Sequence, residues 1–227
     1  MELLVPRIRV PEPILPSYVK LDMAFGVGSG TTLFDKSRYR SHGAITGASW
    51  ATGAHGKCLD FEGADNDYVD GDDTSDQLDF TTDKFSVVMR VNLESLTANR
   101  TSISRTTGSD KGWWTAFRTD GDFWVATGNA SGVQESKAGA GSIVIATWYT
   151  VGFSRDGASV LIYINGVETM ATAAVHVDPV TVSVAYRLGD IWVVGSQPFD
   201  GKIEFLRVFG GIALAASEHL AWHNALV

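Results

Sequence analysis

Apolar and polar residues alternate along much of this chain with the period of two that marks strands, and its C-terminal stretch turns to a helical rhythm. Phe85, Val87, Met89, Val91 and Leu93 share one face of the run 85–93, as in a strand with one side on a core. In 149–154, Tyr149, Val151 and Phe153 alternate with Thr150, Gly152 and Ser154. The next run, 160–164, is apolar on both faces, as expected of a central strand covered from two sides. Asp156-Gly157 separates these two runs, and Asn165-Gly166 separates the second from Val167. Both dipeptides tolerate the positive φ that two-residue hairpin turns demand. The stretch 148–170 therefore predicts a three-strand meander. Asp120-Gly121, between 113–119 and 123–127, predicts another hairpin. Residues 128–141 are small and polar, a loop, while 181–186, 191–195 and 202–209 read as further strands. Residues 215–225 carry the one helical pattern, with Leu220 and Trp222 turned inward. The pattern predicts an all-β protein: an antiparallel β-sandwich (jelly roll) with one short C-terminal helix.

Ahead of the first strand the pattern changes. Residues 1–17 hold Pro6, Pro11, Pro13 and Pro16, four of the six prolines in the 227-residue chain. That density forbids helix and favours extended chain. Between the prolines stand Leu3, Leu4, Val5, Ile8, Val10, Ile14 and Leu15, too apolar for a solvated linker. Residues 1–17 thus read as an extended arm that lies on its own domain or on a neighbouring subunit. Residues 18–227 read as one β-sandwich domain.

The order of short motifs within that domain is specific. Asp35, Ser37, His42 and Gly43 are followed by Gly56, Leu59, Phe61 and Gly63, then by Asp67, Tyr68 and Val69. Trp148 opens W-Y-T-V-G-F-S-R-D-G, which leads to Y-I-N-G at Tyr163, and Phe199 opens the closing F-D-G-K-I-E-F-L-R-V-F. In this order the chain resembles laminin-G-like (concanavalin A-like) jelly-roll domains, from Tyr18 to Ala225. The resemblance implies the sandwich fold and binding of glycans or proteins at rim loops or on the concave face. It also raises a structural calcium, whose ligands here would be Asp22 on the first strand and Glu204 on the last.

Composition removes several functions. Apolar residues make up 44% of the chain and charged residues 19%, ordinary for a protein with one sizeable core. The formal net charge of −8 opposes nucleic-acid binding, which rests on Lys and Arg neutralising phosphates. No apolar run reaches membrane-spanning length. The N-terminus lacks the basic-then-apolar order of a secretory signal, so folding in the cytoplasm without Sec export is expected. Cys58, the one cysteine, excludes an internal disulfide and reads as a small buried hydrophobe. Residues 65–83 hold eight aspartates, but Val69 falls where an EF-hand loop needs its third ligand. A solvated acidic loop is the expectation there, with a calcium-binding loop as the alternative.

Catalytic constellations are missing. Glu94, Glu135, Glu168 and Glu204 stand alone, without the Glu-x-Asp-x-Glu that alternation would aim into one cleft. There is no Gly-x-Ser-x-Gly. His219 and His223 lie one turn apart on the predicted helix, a spacing that can bind a metal and also arises by chance. Sugar platforms need exposed aromatic rings, and Trp114 and Trp124 near the hairpin ends are the candidates. A laminin-G-like domain, no export signal and an apolar arm fit together in a phage virion protein. The expectation is therefore a non-enzymatic virion component, capsid-decorating or tail-associated. It would fold in the host cytoplasm and bind itself or other virion proteins through the arm. The alternative is a lectin-like carbohydrate-binding module that recognises a surface glycan. Neither involves nucleic acid or a membrane.

Overall fold

The computed structural model describes residues 16–72, 76–107 and 110–227. The arm residues Leu3, Leu4, Val5, Ile8, Val10, Ile14 and Leu15 lie outside them. In chain order the first strands are β1 (Val19–Asp22), β2 (Thr32–Leu33), β3 (Gly43–Thr46), β4 (Ser49–Thr52), β5 (Lys57–Phe61), β6 (Tyr68–Gly71), β7 (Phe85–Leu93) and β8 (Arg100–Arg105). They are followed by β9 (Lys111–Phe117), β10 (Phe123–Asn129), β11 (Val133–Lys137), β12 (Trp148–Asp156), β13 (Ser159–Ile164), β14 (Val167–Glu168), β15 (Arg187–Leu188) and β16 (Gly201–Gly210). The helix α1 (Ala216–Leu226) closes the chain. Two eight-stranded sheets result, ordered β14-β13-β12-β7-β16-β5-β4, with β1 beside β16, and β11-β10-β9-β8-β15-β6-β3-β2. No helix among the described residues is long and apolar enough to cross a membrane.

The alternation of β7 closes the sandwich. Phe85, Val87, Met89, Val91 and Leu93 are fully buried and meet Trp113, Phe117, Phe123 and Val125 of the second sheet in one core. Rings there pack at angles that suit their quadrupoles, as where Phe85 meets Phe153 edge-on at 5.2 Å.

The opposite face of the first sheet is covered by α1. Trp222 and Leu226 pack with Val88, Phe209 and Leu214, and His219 stacks on Tyr163 at 3.9 Å. Gly152 permits this approach, since a Cβ there would stand 3.0 Å from the His219 ring and 2.5 Å from the Val87 carbonyl. On the helix side of β13, His219 covers Tyr163 while Leu161 stays exposed, and the strand lies beside the edge strand β14 and is not central. Leu220, expected inward, is exposed, and His219 takes the buried place beside Trp222.

Local chemistry fixes the turns. Asn165 and Gly166 have φ of 52° and 76°, the pair of positive values a type I′ hairpin needs. Gly157 turns the preceding hairpin between the paired Asp156 and Ser159. At the start of the domain Asp35 is wholly buried. Its carboxylate accepts from the amides of Asp22, Ser37 and Ser41 and from the Ser37 hydroxyl, and its own amide donates to His42 Nδ1. The Asp-x-Ser … His-Gly motif is therefore a hub that ties β1 to the next turn.

Three segments depart from the predicted pattern. Val133–Lys137 pairs with β10 inside the expected loop, because the free edge of β10 supplies its ladder. Residues 181–186 form no strand. The Arg105 guanidinium donates to the carbonyls of Val182 and Val184, taking acceptors that a ladder would use. Residues 191–195 form a loop around the carboxylate of Asp190.

Candidate functional site

The alternation that turns Val69, Leu188, Ile103 and Val125 into the core turns their neighbours onto the outer face of the second sheet. Register aligns Asp70, Arg187, Ser104, Trp114, Ala126 and Glu135 in one row across β6, β15, β8, β9, β10 and β11.

Just beyond β15 the chain winds around a buried acceptor. Asp190 Oδ1 accepts from the amides of Ile191 (2.8 Å) and Gln197 (3.0 Å), and Oδ2 from that of Gly195 (2.5 Å). Burial pushes this carboxyl above the ordinary range, and the three amides pull against that shift. Gly195 sits at φ 77°, and a Cβ there would stand 2.7 Å from the Asn66 side chain, so only glycine fits. With its amides drawn inward, the loop presents Trp192, Val193 and Val194 outward at 46%, 44% and 48% exposure. Arg187 locks the loop to the sheet. Its Nη1 donates to the carbonyls of Ile191 (3.1 Å) and Trp192 (3.2 Å), and its Nε to Asp70 Oδ1 (2.6 Å). The same guanidinium lies 4.4 Å over the Tyr68 ring, a favourable cation–π distance.

Between loop and sheet lies a cleft of about 290 Å³ lined by Asp70, Ser104, Val184, Ala185, Arg187 and Trp192, small for a ligand site. It sets a flat apolar ring beside a carboxylate that is 45% exposed. That pairing suits a ligand with an apolar face and a rim of hydroxyl donors. Among the described lining residues Asp70 is the one carboxylate, whereas glycoside cleavage takes a pair flanking the scissile bond.

The residues singled out in the sequence fall elsewhere or lie covered. Trp114 and Trp124 do stand on this outer face, edge to face at 6.0 Å, but they are only 4% and 5% exposed. Arg118 lies 4.7 Å over Trp124, and Val133 packs against the pair. The rings are packed wall, not an open platform, and the residues that cover them come from β11 and the turn after β9.

Asp22 and Glu204 belong to the first sheet. Asp22 Oδ2 accepts from Arg207 at 2.6 Å, and Lys36 Nζ is 3.8 Å from Oδ1. Glu204, at a bulge in β16, accepts from Arg90 Nε at 2.6 Å and from the amides of Ala54 and His55. Cations and amides already hold both carboxylates. A calcium ion, which takes about six to eight oxygens, does not fit this pair.

The aspartates of 65–83 are likewise distributed, with Asp70 on Arg187 and both Asp76 and Asp79 on Arg105. Residues 73–75 lie outside the described chain. Asp60, Glu62 and Glu94 do bring their carboxylates together, with Lys202 bonded to Asp60 (3.1 Å) and to Glu94. His219 and His223 face separate partners, Ser154 and Thr150. Cys58 is buried, and burial pushes its thiol up to about 11, which leaves no reactive thiolate. The residue missed in the sequence is Trp192. Its signal was the turn chemistry around it, Gly189-Asp190 before and Gly195 after.

Comparison with known proteins agrees with this architecture. Domain 4 of AbnA, a GH43 extracellular arabinanase from Geobacillus stearothermophilus, in complex with arabinotriose, superposes with a TM-score of 0.68 at 22% identity, over 91% of this chain and 98% of that one. The binding domain of Paraclostridial Mosquitocidal Protein 1 gives 0.75 at 11% identity, over 93% and 53%. The binding domain of Botulinum Neurotoxin DC in complex with SialylT gives 0.67 at 15%, over 94% and 52%. The chain thus spans about half the length of the toxin binding domains, and at these identities the likeness is one of fold. No curated protein sequence matches the chain. A family model for the concanavalin A-like lectin/glucanases superfamily, laminin-G type, matches residues 63–218. With two antiparallel sheets closing on one core and that match over most of its length, the chain belongs to the concanavalin A-like lectin/glucanases superfamily.

Proposed function

We propose that this domain is a non-catalytic carbohydrate-binding module whose ligand lies in the cleft beside Trp192. The observation that carries the proposal is the exposed Trp192 indole, held by a hydrogen-bonded loop next to the Asp70 carboxylate. Trp192, Val193 and Val194 are exposed together, and an apolar patch of this kind marks a surface that a partner covers. The main chain that carries the Trp192 ring is held, because Asp190 takes amides of its loop and Arg187 carbonyls. A sugar ring offers a CH face to cover the indole and hydroxyls to donate to the carboxylate. Two of the fold neighbours carry sugars in their structures, arabinotriose and SialylT, which supports the ligand class. The single carboxylate among the described residues of the cleft supports binding without cleavage. A virion role rests on the arm, outside the described residues, and binding at this cleft does not depend on it.

On an immobilised glycan panel the full chain is expected to be retained. Trp192→Ala should lose about tenfold or more in affinity, as truncation of an aromatic anchor does. Its melting temperature should hardly move, because the side chain packs little of the core. Undiminished retention of Trp192→Ala would place the site elsewhere. Failure of both proteins to bind any glycan on a broad panel would end the proposal.

A further inference from the structure

We propose, resting on that reading of the cleft, that it selects neutral sugars and excludes acidic ones, and that Asp70 sets the selection. Arginine recognises a carboxylate through two parallel N–H bonds from one edge of its planar fork. Arg187, the cation among the described residues of this cleft, has one donor of each edge engaged, so neither edge offers the parallel pair. Nε is on Asp70 Oδ1 at 2.6 Å, Nη1 is on two loop carbonyls, and its face lies over Tyr68.

What the cleft offers a ligand is acceptors. Among the described residues Asp70 binds Arg187 through Oδ1 and leaves Oδ2 for a partner, with its side chain 45% exposed. Ser104 is buried and gives its hydroxyl hydrogen to the Asp190 carbonyl at 2.9 Å, so it adds no donor to the cleft. The exposed Asp70 carboxylate suits sugar hydroxyls as donors and repels a sialate or uronate carboxylate. The formal charge of −8 on the whole chain adds a long-range field of the same sign.

The test compares the full chain and Asp70→Asn on matched oligosaccharides, neutral in one set and bearing sialic or uronic acid in the other. The parent is expected to bind neutral members and to give background signal on acidic ones. Asp70→Asn, nearly isosteric and checked by its melting curve, should lose about tenfold on neutral sugars and rise above background on acidic ones as Arg187 is released. Preference of the parent for acidic sugars would overturn the selection while leaving the glycan site standing, and that comparison needs no variant. An Asp70→Asn profile equal to the parent's would remove Asp70 as its cause. No binding by the parent to either set would end both the selection and the glycan reading.

Discussion

Replacing Asp190 with alanine is expected to lower stability by about 3 kcal/mol and to abolish retention on glycans. The carboxylate is wholly buried and accepts three backbone amides within one short loop. Each buried donor left without an acceptor costs about 1–3 kcal/mol, and water reaching the opened loop recovers part of it. For a chain of this length the loss corresponds to a fall in melting temperature of about 6–12 °C. Binding suffers separately, because the loop that holds Trp192 in place loses its centre. Asp190→Asn keeps one acceptor oxygen and should lose about half as much. Calorimetry and the glycan panel together check this. Parent-like melting with intact binding in Asp190→Ala would mean that this carboxylate does not hold the loop.

The second large effect is a loss of stability on mild acidification. His176 is buried between the hydroxyls of Thr127 and Ser136, 2.8 Å from each, and burial pulls its pKa down to about 4. His219, stacked on Tyr163 and 2.9 Å from the Ser154 hydroxyl, is pulled by burial to about 3. Both stay neutral in the folded chain where the unfolded chain, at 6.5, already takes up protons. Stability is therefore full above that value and is lost as pH falls from it toward 4. The slope is about 1.4 kcal/mol per pH unit for each histidine, so the pair removes about 4 kcal/mol by pH 5.

Asp67, Asp122 and Asp190, pushed up by burial, bind protons more readily when folded and oppose this loss. The net change expected on leaving neutrality is the loss carried by the two histidines, reduced by these three carboxyls. Melting temperature is expected to fall by about 10 °C between pH 7.5 and 5. His219→Gln should be less stable at neutral pH but show about half the slope. Constant melting over that interval would show that the two rings are not held neutral.

The fold was legible where a residue type forces a conformation. The alternation of Phe85 to Leu93 could serve only a strand with one face on a core, and Asn165-Gly166 only a tight hairpin. The opening motif was legible as a resemblance, and the structure supplies its physical reason in the buried acceptor Asp35. The site was not legible because it depends on what lies over what. Trp114 and Trp124 alternate correctly onto the outer face, but Arg118 and Val133 cover them, and no periodicity records that cover. Ile191-Trp192-Val193-Val194 has the composition of a strand. It becomes a loop because Asp190 captures amides that a ladder would use. Leu220 and His219 exchange roles for a similar reason. Gly152 leaves room for a ring directly over β12, so the helix settles with His219 inward.

The most direct measurement is the indole N–H spectrum of the isotopically labelled chain during titration with a neutral oligosaccharide. The seven tryptophans report on both sheets, and the Trp192 signal is identified by its absence in Trp192→Phe. Ligand at the cleft is expected to shift the Trp192 signal while those of Trp50 and Trp148, on the first sheet, stay fixed. Shifts confined to Trp50 or Trp148, with Trp192 unmoved at saturation, would contradict a glycan site on the outer face of the second sheet.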